Sequence, residues 1–100
     1  MSDREPMTVC HTPTPGKQPT RIPSWKYEVV REHILAIVPQ QAPGIPAKDL
    51  AGLVAKRMDS NTRARLGSVG WHTVTVKLNM EVDGELQRVA NARPQHLVRL

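Results

Sequence analysis

Apolar residues recur at helical spacing in the segment "WKYEVVREHILAIV", which follows a proline-rich run without periodicity. Charged residues fall mostly on the opposite side, so the pattern predicts a helix from about Trp25 to Val38. Ser24 is the predicted N-cap, and Pro39 ends the helix. The apolar stripe of this helix consists of Tyr27, Val30, Ile34, Ile37 and Val38, with Leu35 at its edge.

A turn and a second helix are predicted for "PQQAPGIPAKDLAGLVAKRM", where Pro43 and Gly44 mark the turn. Pro46 suits a first helical turn, because a helix leaves that N–H unpaired in any case. After it, "DSNTRARLGSVG" suits a short helical turn that Ser60 caps and Gly67 ends, before Ser68 caps a third helix. The predicted buried residues of this region are Leu50, Leu53, Val54, Met58 and Leu66.

The segment "HTVTVKLNMEVDGELQRV" supports two interpretations. Its alternation and the Asp83-Gly84 pair are typical of a β-hairpin. A two-residue loop, however, would place Glu85 on the apolar face and Leu86 on the polar face, and only a longer or bulged loop corrects that register. As a helix, the segment has two apolar stripes and Gly84 just past its end. One stripe is Trp71, Val74, Leu78 and Val82, and the roughly opposite one is Val69, Thr73, Val76 and Met80.

In the helical interpretation, "ELQRV" and "QHLVRL" form a short strand pair around the tip "ANARP". This order resembles the winged helix-turn-helix superfamily, whose final helix runs into a wing through residues like those found here. The matching residues are Met80, Glu81, Gly84, Leu86 and Arg88. The wider pattern "TPTPGKQPTRI…KYEVVREHIL…GW…TVKLNMEVDGEL…RPQHLVR" is similar to a family of small uncharacterised bacterial proteins built on this fold.

This resemblance favours the helix and implies an α+β, mainly α, architecture: a winged helix of three helices followed by a two-stranded wing. We expect that domain to span residues 24–100. Residues 1–23 contain five of the nine prolines and predict an extended or partly disordered arm, anchored by Ile22 or, second, Val9.

The charge of the chain is compatible with a polyanionic partner. Its formal net charge is +5 and its pI is near 10.0. Between residues 56 and 77, five cations face a single carboxylate, that of Asp59. A basic block of this kind suits nucleic acid, and it equally suits a solvated surface. The lone Cys10, the lack of a signal peptide and the lack of a membrane-length apolar run predict a cytoplasmic location.

The sequence predicts neither catalysis nor a cofactor. Cys10 and His11 are adjacent, but they lie on the proline-rich arm without a third group that would orient them. The histidines at positions 11, 33, 72 and 96 are scattered without metal-ligand spacing, so no metal site is expected.

Two functions follow as alternatives. A DNA-binding or regulatory module would use phosphate contacts from the predicted nucleic-acid-binding residues Arg63, Arg65, Thr75, Lys77 and Arg93. The last helix is apolar for a base-reading helix, with His72, Thr75, Lys77 and Asn79 as its outward polar candidates. The alternative is a homodimer or another protein partner, with no nucleic acid, bound through a stripe of Trp71, Val74, Leu78 and Val82. The chain has two tryptophans and no Phe, so Trp25 and Trp71 are each predicted to anchor the core.

Overall fold

The computed structural model describes residues 5–100, which form four α-helices and five strands in two small sheets. The helices are α1 (Ser24–Ile37), α2 (Leu50–Arg57), α3 (Ser60–Leu66) and α4 (Val69–Val82). The strands are β1 (Met7–Cys10), β2 (Thr20–Pro23), β3 (Ile45–Pro46), β4 (Leu86–Arg88) and β5 (His96–Arg99).

Helix α1 is where the apolar pattern placed it, and Tyr27, Val30 and Ile34 are its buried residues. The prediction that Ser24 caps this helix is wrong. Ser24 is the first helical residue, and its hydroxyl forms a hydrogen bond with the Thr8 hydroxyl at 2.7 Å instead. The side chain that was expected to cap α1 therefore ties the helix to the N-terminal segment.

The chain before α2 forms a strand and not the expected first helical turn. Ile45 and Pro46 pair with β5, and a 3₁₀ turn then leads into α2. Gly44 has φ +70°, and a Cβ added there would lie 1.9 Å from the Leu97 carbonyl oxygen. Only glycine allows this close approach. In α2, the predicted residues Leu50 and Val54 are buried, as is Met58 directly after the helix, whereas Leu53 is half-buried.

The linker before α4 forms a complete short helix, α3, so the described chain has four α-helices where three were expected. Asp59, and not Ser60, caps it by accepting a 2.8 Å hydrogen bond from the Thr62 backbone N–H. Leu66 is fully buried as predicted. The predicted cap at Ser68 is confirmed, since its hydroxyl accepts from the Trp71 N–H at 3.1 Å.

The helical interpretation of the last apolar segment is confirmed, and the hairpin interpretation is wrong. Helix α4 runs to Val82, and Gly84 follows with φ +82°, the left-handed conformation that ends helices. Strands β4 and β5 then pair antiparallel, with Leu86 opposite Arg99. With β3 they complete a three-stranded sheet in the order β3-β5-β4.

The predicted N-terminal arm forms a β-hairpin over the residues that the structure describes, while residues 1–4 lie outside them. Strands β1 and β2 pair antiparallel, with Thr8 opposite Ile22. Ile22 is buried as predicted, but Val9 is exposed, and its neighbour Cys10 is buried in its place. Successive residues of a strand point to opposite faces of the hairpin, so Val9 faces outward while Cys10 faces the core. Cys10 and Ile22 are the residues through which the inner face of the hairpin packs on the core. The core residues are Cys10, Ile22, Tyr27, Val30, Ile34, Val38, Leu50, Val54, Met58, Leu66, Val76, Met80, Leu86 and Leu97.

Candidate functional site

Helix α4 exposes apolar side chains and buries polar ones. Trp71, Val74 and Val82 are 49%, 51% and 45% exposed. The opposite stripe faces the core, where Thr73, Val76 and Met80 are essentially inaccessible to solvent. Trp71 is therefore not the core anchor that was predicted, and Trp25 is only half-buried. We call the outward set Trp71, Val74, Leu78 and Val82 the α4 stripe; Leu78 is its half-buried member.

The predicted outward positions of His72, Lys77 and Asn79 are wrong. All three side chains are buried, at 9%, 8% and 5% exposure. His72 Nδ1 lies 2.7 Å from the Ser68 carbonyl oxygen, one turn earlier in the chain. Its ring also meets the Trp71 ring edge-on, with the ring centroids 4.9 Å apart. The imidazole is thus engaged by its own helix and is turned away from any surface partner.

Asn79 joins α4 to two other elements. Its amide Nδ2 donates to the Tyr27 hydroxyl of α1 at 2.8 Å and to Asp83 Oδ2 at 3.2 Å. Its Oδ1 accepts from the backbone N–H of His11, just after β1, at 2.8 Å. A buried amide that has partners on both ends costs little to bury and fixes the rotation of its helix.

Lys77 belongs to an ion-pair network and is not free for a phosphate. Its Nζ lies 3.0 Å from Glu81 Oε2, one turn along α4, and both side chains are at most 10% exposed. Arg88 on β4 contacts the other oxygen of Glu81. The Lys77 phosphate-contact prediction is therefore corrected: its ammonium pairs with a buried carboxylate of its own helix, and Arg88 links that carboxylate to the sheet.

A pocket of about 260 Å³, lined by polar and apolar groups in about equal parts, flanks the middle of the α4 stripe. It lies between the loop that joins β1 to β2 and α4, where Thr75 and Leu78 form part of its wall. Thr75, a predicted nucleic-acid contact, is thus half-buried beside that loop and not on an open recognition surface.

The remaining predicted phosphate contacts are exposed. Arg63 and Arg65 lie two residues apart on α3, and Arg93 lies in the turn between β4 and β5. The Arg65 guanidinium carbon is 4.8 Å from the centroid of the Trp25 ring, a cation–π arrangement. Within residues 5–100, no salt bridge involves any of the three arginines. The structure brings Arg63 and Arg65 together on one element and places Arg93 on a different one.

Cys10 is buried, and the pKa of its thiol is raised, first by that burial and then by the negative charge of Asp83. Both effects disfavour the thiolate, which is the nucleophilic form. Across the described part of the chain, no group of three His, Cys, Asp or Glu residues could hold a metal ion. None of the helices in residues 5–100 has the length and apolar character needed to cross a bilayer.

Sequence reasoning missed the buried polar positions of α4, although a signal for two of them exists. His72 and Asn79 are seven residues apart and therefore share one side of a helix. That side also lies next to the stripe of Thr73, Val76 and Met80, which packs on the core. The presence of two polar residues beside an inward stripe indicates interior hydrogen bonds, but their partners on α1 and after β1 are distant in sequence.

These observations define a small α+β protein whose last long helix turns an apolar stripe outward. The chain matches the "Family of unknown function (DUF6958)" over residues 7–97, and it belongs to that family. No curated protein and no solved structure matches the chain. The family match includes the N-terminal hairpin as well as the helices and the second sheet up to Leu97 in β5.

Proposed function

We propose that this protein is a self-associating module and that the α4 stripe is the surface through which two copies meet. The observation that carries the proposal is the exposure of Trp71, Val74 and Val82 on a helix that buries His72, Lys77 and Asn79. Removing apolar surface from water contributes roughly 25 cal/mol per Å², and Trp is the residue type most enriched at interface hot spots. A second copy that covered the stripe would gain that energy.

The inward polar groups of α4 support this proposal by fixing which stripe faces outward. Rotating α4 to bury Trp71 would break the Asn79 hydrogen bonds to Tyr27 and His11. It would also separate Glu81 of α4 from Arg88 on β4. The stripe cannot be buried within its own chain without these losses, so it stays available to a partner.

Sedimentation velocity over a range of protein concentrations tests the proposal. We expect a concentration-dependent monomer–dimer equilibrium for the native chain. Val74→Lys places a charge in the middle of the stripe, so we expect it to weaken association at least tenfold without unfolding the protein. Ala36→Lys adds the same charge on the exposed side of α1 and serves as the matched control, with unchanged association. A native chain that stays monomeric at high concentration would refute self-association.

We also infer that residues 24–100 form a winged-helix domain. Support comes from the order of the elements, with α1, α2 and α4 followed by the antiparallel pair β4 and β5. The short strand β3, between α1 and α2, pairs with β5 and closes the sheet against the helices. Helix α3 is an addition to the three helices of that pattern.

Nucleic-acid binding is the second candidate, and the exposed arginines on α3 favour it. Arg63 and Arg65 are free of salt bridges in the described chain, and the neighbouring Trp25 offers an aromatic surface. Fluorescence anisotropy with random duplex DNA at several salt concentrations tests this function, because phosphate contacts weaken steeply as salt rises. Arg63→Glu with Arg65→Glu should abolish such binding. Binding that survives both changes, or that is absent at low salt, would exclude this use of α3.

A further inference from the structure

The positions of the α4 stripe along the helix determine how a second copy would lie on it, and this inference rests on the proposed self-association. We infer that two copies pack their α4 helices antiparallel, around a two-fold axis that crosses the α4 stripe at the level of residue 76. In that arrangement Val74 contacts the partner's Leu78, and Trp71 contacts the partner's Val82.

The spacing of the stripe selects this register. Its members are three, four and four residues apart, the spacing of a helix–helix seam. In an antiparallel pair, the residue numbers of two side chains that face each other across the axis always add up to the same value, and half of that value is the position of the axis. Val74 with Leu78 places the axis at residue 76, and Trp71 with Val82 places it half a residue further. One axis therefore covers all four members, which a self-complementary interface requires.

Other registers leave part of the stripe uncovered. An axis about one and a half residues nearer the N-terminus would pair Trp71 with the partner's Leu78 and leave Val82 opposite the partner's Gly67. A parallel pair would place the two Trp71 rings side by side and the two Val82 side chains together. The antiparallel register instead sets the largest member of the stripe against a small one at both ends, as close packing favours.

The charges at the two ends of α4 agree with the antiparallel direction. Arg63 and Arg65 are exposed on α3, just before the start of α4. Asp83, directly after its end, accepts a hydrogen bond from Asn79 and so lies on the side of α4 away from the stripe. Antiparallel packing keeps the exposed α3 arginines of the two copies at opposite ends of the seam, and it also opposes the helix dipoles. Parallel packing would bring like charges together.

The size of the stripe indicates a weak dimer. Helix α4 has 14 residues and is therefore about 21 Å long, with one face about 10 Å wide. A stable interface buries roughly 800 Å² on each partner, more than one such face supplies. The loop between β1 and β2 borders the stripe at Thr75 and Leu78 and would add contact area. We therefore expect a dissociation constant in the micromolar range.

Interchain disulfide formation tests the register. Val74→Cys and Leu78→Cys proteins, distinguished by a tag, are mixed at a concentration where the native chain is dimeric and are then oxidised. We expect the mixed disulfide to form at least tenfold faster than the disulfide of either variant with itself. Val82→Cys alone should remain uncrosslinked, because the two copies of that residue would be about 17 Å apart along the axis. The native chain, whose single Cys10 is buried, is the control for background oxidation.

The outcomes separate this inference from the proposed function on which it rests. Self-crosslinking of Val82→Cys in a dimeric protein would show a parallel pair, so the inference would fail while self-association stood. A dimer in which neither the mixture nor any single variant crosslinks would place the interface elsewhere. Circular dichroism confirms that each variant is folded, and the double variant Val74→Cys with Leu78→Cys, which should crosslink with itself, provides a second measurement. A monomeric native chain would remove both proposals.

Discussion

Helices α1 and α4 have the same length, 14 residues, but opposite relations between side-chain polarity and burial. In α1 the buried residues are Tyr27, Val30 and Ile34, and the charged Glu28 and Glu32 are exposed. In α4 the side chains of Lys77 and Asn79 are buried, while the α4 stripe faces outward. The first helix buries apolar side chains and keeps its ion pair, Arg31 with Glu85, at the edge of the core, whereas the second buries its hydrogen-bonded and paired polar side chains.

The difference shows what determines the rotation of a helix that is apolar on two sides. Either stripe of α4 could be buried on the basis of area alone. The side chains between the stripes decide, since Asn79 has partners at Tyr27 and His11, and Glu81 has Arg88 on β4. Because unpaired buried polar groups cost more than a partly exposed valine, the hydrogen-bonded rotation is favoured.

The largest expected effect comes from removing apolar volume from α1. Ile34 is fully buried, so Ile34→Ala should lower the free energy of unfolding by about 3 kcal/mol through lost burial and a cavity. Val74→Ala, at the centre of the α4 stripe, should change it by less than about 0.5 kcal/mol, because that side chain is half exposed in the monomer.

Urea unfolding at a concentration below that of dimerisation measures both values. In sedimentation experiments the order should reverse: Val74→Ala should weaken association of the two copies more than Ile34→Ala does. A large loss of monomer stability in Val74→Ala would mean that α4 packs its stripe inward, and the contrast between the helices would be wrong.

The next effect should come from the buried amide of α4. Asn79→Ala leaves the Tyr27 hydroxyl and the His11 N–H without their partner, so we expect a loss of about 2 kcal/mol in the free energy of unfolding. Asn61→Ala, at an exposed position of α3, is the matched control and should be nearly neutral. Hydrogen exchange adds a local measurement, because the His11 amide should lose protection in Asn79→Ala. Unchanged protection there would contradict the proposed link between α4 and the N-terminal hairpin.

The sequence was sufficient for the elements whose signals are local. Helix α1, the cap at Ser68 and the helix end at Gly84 all depend on residues within one or two turns. The N-terminal hairpin was missed because its loop is long and rich in proline, and because Cys10 and Ile22 acquire their role only from the core beneath them.

The candidate site was predictable only in part, for a related reason. The four members of the α4 stripe could be found from helical spacing alone, but which stripe faces outward could not. That choice depends on Tyr27, 52 positions from Asn79, and on His11, 68 positions away. Lys77 was misplaced because a cation at a helical position does not reveal whether its neighbouring carboxylate is buried.

A smaller effect is expected at Lys77. Lys77→Met leaves Glu81, whose side chain is 8% exposed, with Arg88 as its remaining cation. We expect a loss of about 1 kcal/mol, well below the 3–5 kcal/mol of a fully broken buried pair. Lys48→Met, at an exposed position before α2, is the control and should be neutral. If the protein binds DNA, Lys77→Met should leave the salt dependence of binding unchanged, and a shallower dependence would restore Lys77 as a phosphate contact.

The smallest effect should be the pH dependence of the α3 cap, a local feature that neither α1 nor α4 shares. The pKa of Asp59 is lowered, first by the hydrogen bond from the Thr62 backbone N–H and then by that from the Thr62 hydroxyl. A carboxyl whose pKa is lower in the folded state contributes stability above its unfolded pKa and loses it as pH falls through the folded pKa. Asp59→Asn keeps an acceptor but removes the charge. The free energy of unfolding of both proteins is measured from about pH 6 down to about pH 3, because the ordinary Asp pKa is about 3.9. The native protein should be more stable than Asp59→Asn only at the upper end of this range. A gap between the two proteins that persists at the lowest pH would mean that α3 depends on the geometry of the cap and not on its charge.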